Sequence, residues 1–291
     1  PFFLRVQLLN WCHGYLLSVV RWFFLCRLSF HGRIERKGGV LVIFYPIFYA
    51  PNENWAVAAS LESGGFSPDC AFAMSATLGG VCLAFENIFG KDILRQYPRL
   101  TVLNSSETPQ CFSGAQLIFL STEGNYPQQH IYQFAHELCH FVIHKPVCSA
   151  YRWLSETLCE VMSWCALSWV YEHREDAPLW PCRGIYASFP DYIANSRQDR
   201  LELDGQPLRQ FVAQNLSHLR VDCYDRRMNR AIANELFPLF RDHPELWQAA
   251  LQLPQLTDEM PLDAALHLIC DTAEVSSDLR DTLVGLLVGR Q

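Results

Sequence analysis

The stretch that most constrains this chain is His136-Glu137-Leu138-Cys139-His140. It reads H-E-x-x-H, and a helix makes sense of the spacing. Residues four apart sit one above the other on a helix face, so the two imidazoles are placed to share a single zinc ion. Glu137 then stands where a carboxylate can take a proton from a zinc-activated water. Written as a helix over 128–144, the segment puts Ile131, Phe134, Leu138, Phe141 and Val142 on one apolar stripe and turns His136 and His140 to the other side. Such a helix packs one face and offers the other to a cleft. The plainer reading is a surface helix whose polar face happens to carry these residues.

A hydrolytic zinc site needs a third protein ligand and keeps a fourth position for water. The next periodic segment, Tyr151 to Tyr171, has an apolar stripe of Leu154, Leu158, Val161, Met162, Cys165 and Trp169. Glu156 and Glu160 fall one turn apart on another face. Their spacing suggests Glu156 on the metal and Glu160 behind it, holding a ligand histidine and fixing its tautomer. The alternative is an ordinary i, i+4 pair of solvated acids. Cys139, Cys148 and Cys159 cluster in the same region, which keeps thiol ligation open as a minor alternative, with Cys139 off the ligand face. His144 lies one turn beyond His140, points away from a site closed by Glu156, and reads as a helix-end residue.

Taken together, His136-Glu137-x-x-His140 and Trp153-Leu154-x-Glu156-x-x-x-Glu160 resemble the gluzincin class of zinc metallopeptidases over about residues 112–170. The resemblance implies a hydrolase that cleaves peptide bonds, with one Zn2+ held by His136, His140 and Glu156, Glu137 as general base, and Glu160 supporting a ligand histidine. It implies a zincin-like catalytic region, a small mixed sheet with an active-site helix. A strand at the rim of the cleft, here Gln116 to Ser121, would pair with an extended peptide; a plain sheet strand packed on the helix is the other reading. It also implies a tyrosine or histidine from the later helices beside the developing oxyanion. Tyr224, His218 and Arg226 are available, and no spacing rule selects among them. At Thr157 the chain departs from the class, where glycine is frequent.

The remaining sequence sets the frame. A net charge of −7 over 291 residues, with pI near 5.8, argues against a nucleic-acid partner and leaves a peptide or protein as the expected substrate. The 12 cysteines include no C-x-x-C pair, so they read as buried thiols in a reducing, cytoplasmic setting rather than as a disulfide framework. Residues 1–53 form an apolar N-terminal extension. Its runs Tyr15–Cys26 and Val40–Ala50 are broken by Arg21 or shortened around Pro46, below the roughly 18 residues of a membrane span. Contact with a membrane through residues 1–50, and hence a membrane-associated protease, is the alternative.

Residues 54–175 are the expected catalytic region, and 176–291 a mainly helical C-terminal region. Pairs such as Gly64-Gly65, Ser67-Pro68 and Gly79-Gly80 read as turns. A helix is expected over 81–97, strands over 100–103 and 115–120, and loop over 104–113. Residues 172–206 read as a long connection, Leu208 to Phe240 as helical, and helices follow to Leu287. The expected class is α+β. A different functional class, a zinc-holding but non-catalytic regulatory or interaction module, has to explain why Glu137 is present.

Overall fold

A computed structural model of the chain describes residues 33–37, 40–49, 55–59, 65–97, 100–105, 108–122, 126–175 and 183–289. They form an α+β arrangement of a mixed sheet with helices packed against it. The strands are β1 (Arg33–Lys37), β2 (Val40–Tyr49), β3 (Trp55–Ala59), β4 (Leu100–Asn104), β5 (Gln110–Phe112) and β6 (Leu117–Leu120). Their spatial order is β1-β2-β3-β4-β6-β5, with β3, β4 and β6 mutually parallel and the other pairings antiparallel.

Three sequence expectations change here. The apolar run from Val40 is a strand, and its register slips between Pro46 and Phe48, as expected where proline withholds a ladder donor. The segment 104–113 is not all loop, because it contains β5. As a result β6 is an interior strand, paired on both sides, and among the described residues the edge of the sheet at this end belongs to β5. The run Tyr15–Cys26 lies outside the described residues. Among the described residues, no helix is long and apolar enough to cross a membrane.

The first helix, α1 (Pro68–Phe89), starts earlier than the sequence suggests. Ser67 caps it by accepting from the Cys70 N–H, and Pro68 occupies the first turn, where its missing donor costs nothing. Gly79 and Gly80, which look like a turn in sequence, lie inside this helix, with Gly79 close to the Trp55 ring. The helix stops at Gly90, whose φ of 99° suits a residue without Cβ.

Two helices then carry the candidate site: α2 (Pro127–Ile143) and α3 (Arg152–Glu172). Ile131, Phe134, Leu138, Phe141 and Val142 are buried as the stripe requires. Helix α3 is buried on nearly all sides, by α2 on one and by α6 (Arg226–Asp242) on another. The long connection contains α4 (Phe189–Gln198), with Pro190 in its first turn. The stretch from Leu208 is two helices, α5 (Leu208–Val221) and α6, split at Asp222–Asp225 where Asp225 caps α6. A short α7 (Trp247–Ala250) and then α8 (Leu262–Thr272) and α9 (Ser277–Leu287) complete the chain. The C-terminal helices share one apolar core with the sheet and α3: Trp164 meets Phe237 edge-on at 5.9 Å, and Arg197 covers both rings.

Polar contacts fix α2 against the sheet. Gln133 behaves as a stand-in peptide group, accepting from the Ser121 N–H and donating to its carbonyl, both at 2.9 Å. One turn earlier, His130 is fully buried, with Nδ1 2.7 Å from the Tyr126 carbonyl and Nε2 2.7 Å from the Thr122 hydroxyl. Burial outweighs the help of the Tyr126 carbonyl and lowers the His130 pKa from the ordinary 6.5 to about 4. Between those values the unfolded chain binds a proton that the folded chain refuses. The associated stability, about 3 kcal/mol, is therefore complete above pH 6.5 and is lost as pH falls through about 4. A urea-unfolding series from pH 7 to 4.5 should show this fall in the wild type and a shallower slope in His130→Asn. Parallel slopes would remove His130 as the cause.

Candidate metal centre

The chain between α2 and α3 is short, and its ends are held. Helix α2 ends at His144, whose φ is 65°, with its N–H still donating to the His140 carbonyl. The turn through Pro146 leads to Ser149 and Ala150, both of which donate to the distant Asp258 carboxylate, at 2.9 and 2.8 Å. Next to them the Tyr151 hydroxyl donates to the Met260 carbonyl at 2.6 Å. These contacts bring the first turns of α3 alongside the last turns of α2. His144 lies at the helix end, with its ring against Tyr97.

The two histidines, about a fifth exposed, face Glu156 across this junction. His136 Nε2 lies 3.3 Å from Glu156 Oε2, and His140 Nε2 lies 3.3 Å from Glu156 Oε1. Each ring turns its other nitrogen toward α3 as well. His140 Nδ1 is 3.5 Å from the Ser155 hydroxyl, and His136 Nδ1 is 3.9 Å from Glu160 Oε2. Glu137, 7% exposed, lines the same cleft, which has a volume of about 1190 Å³.

Cys159 also reaches this place. His136, His140 and Cys159 each offer a ligand atom within 4.8 Å of the others, and this group could hold a metal ion. Two residues of α3 thus compete for the role of third donor. The Cys159 thiol is fully buried, and burial together with the neighbouring Cys139, Glu156 and Glu137 raises its pKa well above the usual range. For Glu156, burial also favours the neutral acid, but hydrogen bonds and charge from both histidines override it and hold the carboxyl far below the usual range. A metal ligand must be deprotonated, a state Glu156 already has here and Cys159 would reach only as the metal displaces its proton.

The charge balance calls for a cation. Among the described residues, no Lys or Arg is paired with Glu137 or Glu156. Burial makes His136 harder to protonate. The hydrogen bond to Glu156 and the charges of Glu137, Glu156 and Glu160 reverse this and raise its pKa from 6.5 to about 9. Glu137 is pushed upward by burial, against the pull of both histidines. Carboxylates as buried as Glu137 and Glu156, gathered around two imidazoles, are stable only with positive charge among them, from protons on the histidines or from a metal ion. The donor set of two imidazoles and a carboxylate fits zinc.

Of the residues proposed for oxyanion stabilisation, Tyr224 and Arg226 line the cleft. His218 instead pairs with Asp225 at 3.0 Å and is not part of the lining. The edge strand β5 borders the cleft through Gln110, Cys111 and Phe112. The cleft also includes residues that the motif does not announce, Tyr132, Ser155 and Asn229, and Arg230 reaches Glu160 behind them. Tyr132 stands one turn before His136, a position the helical spacing would have flagged.

Comparison of the chain with models of known protein families, with curated proteins and with solved structures finds no match.

Cobalt(II) loading separates the two candidate donors, because thiolate ligation gives an intense near-ultraviolet charge-transfer band and carboxylate ligation does not. The wild type should lack the band, Cys159→Ser should leave the spectrum unchanged, and Glu156→Ala should lose the metal. A strong band abolished by Cys159→Ser would transfer the ligand role to Cys159.

Proposed function

We propose that the chain is a zincin-like zinc metallopeptidase in which His136, His140 and Glu156 hold one zinc ion and Glu137 is the general base. One observation carries the reading: both Nε2 atoms converge on the two oxygens of Glu156, at 3.3 Å each, beside the buried Glu137. Zinc bound there would lower the pKa of water from about 15.7 toward about 7 and polarise a substrate carbonyl.

The chain's own residues supply the rest. Glu137 takes the proton of the attacking water and returns it to the leaving amine, and its burial raises its proton affinity toward what that exchange needs. Ser155 and Glu160 lie on the Nδ1 side of the histidines, 3.5 and 3.9 Å away, and would orient the rings so that His136 and His140 could hold zinc through Nε2. Tyr224, 70% exposed, and Arg226 offer donors for charge that develops on the carbonyl oxygen. The free edge of β5 gives an extended peptide a backbone to pair with, a role that belongs to β5 because β6 has partners on both sides.

A non-catalytic zinc module would have the same histidines but no use for Glu137 in the cleft. Glu137→Gln separates the two readings, since it preserves shape and removes the base. In a peptide-library digest, the wild-type zinc protein should cleave, and Glu137→Gln should cleave on the order of 10²–10⁴-fold more slowly while keeping its zinc. Equal cleavage by both proteins, or none by a zinc-loaded wild type, would reject the peptidase mechanism.

A further inference from the structure

Glu160 is 3% exposed, and an ionised carboxylate so deeply buried needs full compensation. Its Oε1 receives two donors: the Tyr132 hydroxyl, in a short hydrogen bond, and Arg230 Nε at 2.7 Å. Arg230 is itself 7% exposed. Its Nη2 donates to the Tyr132 oxygen at 3.2 Å, and its Nη1 pairs with the Asp199 carboxylate. Arg226 adds a second guanidinium on the Tyr132 oxygen at 3.4 Å.

These contacts have only one consistent direction. Guanidinium groups can only donate, so the Tyr132 oxygen accepts from Arg226 and Arg230 and must spend its single proton on Glu160. Oε1 is thereby engaged from two sides, and the other oxygen, Oε2, is the one left 3.9 Å from His136 Nδ1. The layout repeats on three helices. Tyr132 and His136 are one turn apart on α2, Glu156 and Glu160 on α3, and Arg226 and Arg230 on α6. Tyr132, His136, Glu156, Glu160 and Arg226 all line the cleft, and behind them the row ends on the planar fork of Arg230, which a lysine cannot reproduce.

We propose that Arg230 and Tyr132 are positioning residues for the metal centre: they clamp one oxygen of Glu160 so that its other oxygen holds the His136 ring. Through this clamp helix α6, from the C-terminal region, sets the metal affinity of a site whose ligands all lie on α2 and α3. The inference rests on the metal reading above. It goes further by placing a control on that site in a part of the chain that contributes no ligand.

The test is zinc affinity by chelator competition on the full chain, with thermal unfolding measured alongside, for Glu160→Gln, Arg230→Gln, Arg230→Lys, Tyr132→Phe and the double variant Arg230→Gln/Glu160→Gln. Arg230→Gln and Glu160→Gln should each weaken zinc binding on the order of 10–100-fold. The double variant should bind no more weakly than Glu160→Gln alone, because Arg230 acts through Glu160. Arg230→Lys should recover only part of the loss, and Tyr132→Phe, which keeps the ring and its packing, should remain folded and lose affinity several-fold.

If the variants lose thermal stability while zinc affinity stays at the wild-type value, Arg230 is a structural ion pair and the inference fails, although the metal site stands. Additive losses in the double variant would overturn it in the same way. If Arg230→Gln does not fold, Tyr132→Phe decides, and unchanged affinity in that variant rejects the clamp. A wild type that takes up no zinc removes the metal reading itself, and the inference with it.

Discussion

The junction between α2 and α3 is what the candidate site depends on. Two helices that are apolar on most of their surface meet there through polar side chains that face one another, with Glu160 also held by Arg230 of α6. His136 and His140 face Glu156, while Ser155 and Glu160 stand behind the rings. Such a polar junction inside a core is costly unless every group has a partner, so it also defines how the two helices may sit. Phe134 and Leu138 of α2 and Leu154 and Leu158 of α3 are buried in the core on which both helices pack.

Charge explains why the two glutamates of α3 take different parts. Glu160 is neutralised from behind by Arg230 and has a hydroxyl on the same oxygen, so it is a finished structural group. Among the described residues Glu156 is paired with the two histidines, each of its oxygens 3.3 Å from a ring nitrogen. Their spacing already suggested different parts for them. Their environments separate them, through helix α6 and the turn at Asp199.

The two motif helices were legible because apolar residues at helical spacing mark one face and leave another for His136 and His140, although burial extends beyond that stripe to Tyr132, Glu137 and Cys139. Glu156 facing both histidines was legible for the same reason. Much of the remainder was not. Strand β5 is three residues long, Gln110-Cys111-Phe112, with no alternation to mark it, and it exists because β6 offers it an edge. Helix α4 is hidden by its polar sequence and by Pro190, which marks a helix start as readily as a break. Gly79 and Gly80 looked like punctuation, yet they lie within a buried helix whose neighbours override glycine's weak propensity. Arg230 could not be found from sequence, since its partners Tyr132, Glu160 and Asp199 come from three other segments.

The account turns on whether this junction holds a metal ion. The measurement that asks this most directly is elemental analysis of protein purified without chelators, together with zinc titration of whatever fraction is metal-free. One zinc ion per chain, lost in His136→Ala and in His140→Ala, is the expected result. Protein that arrives without metal and cannot be loaded with zinc, while remaining folded, would contradict the account at its centre.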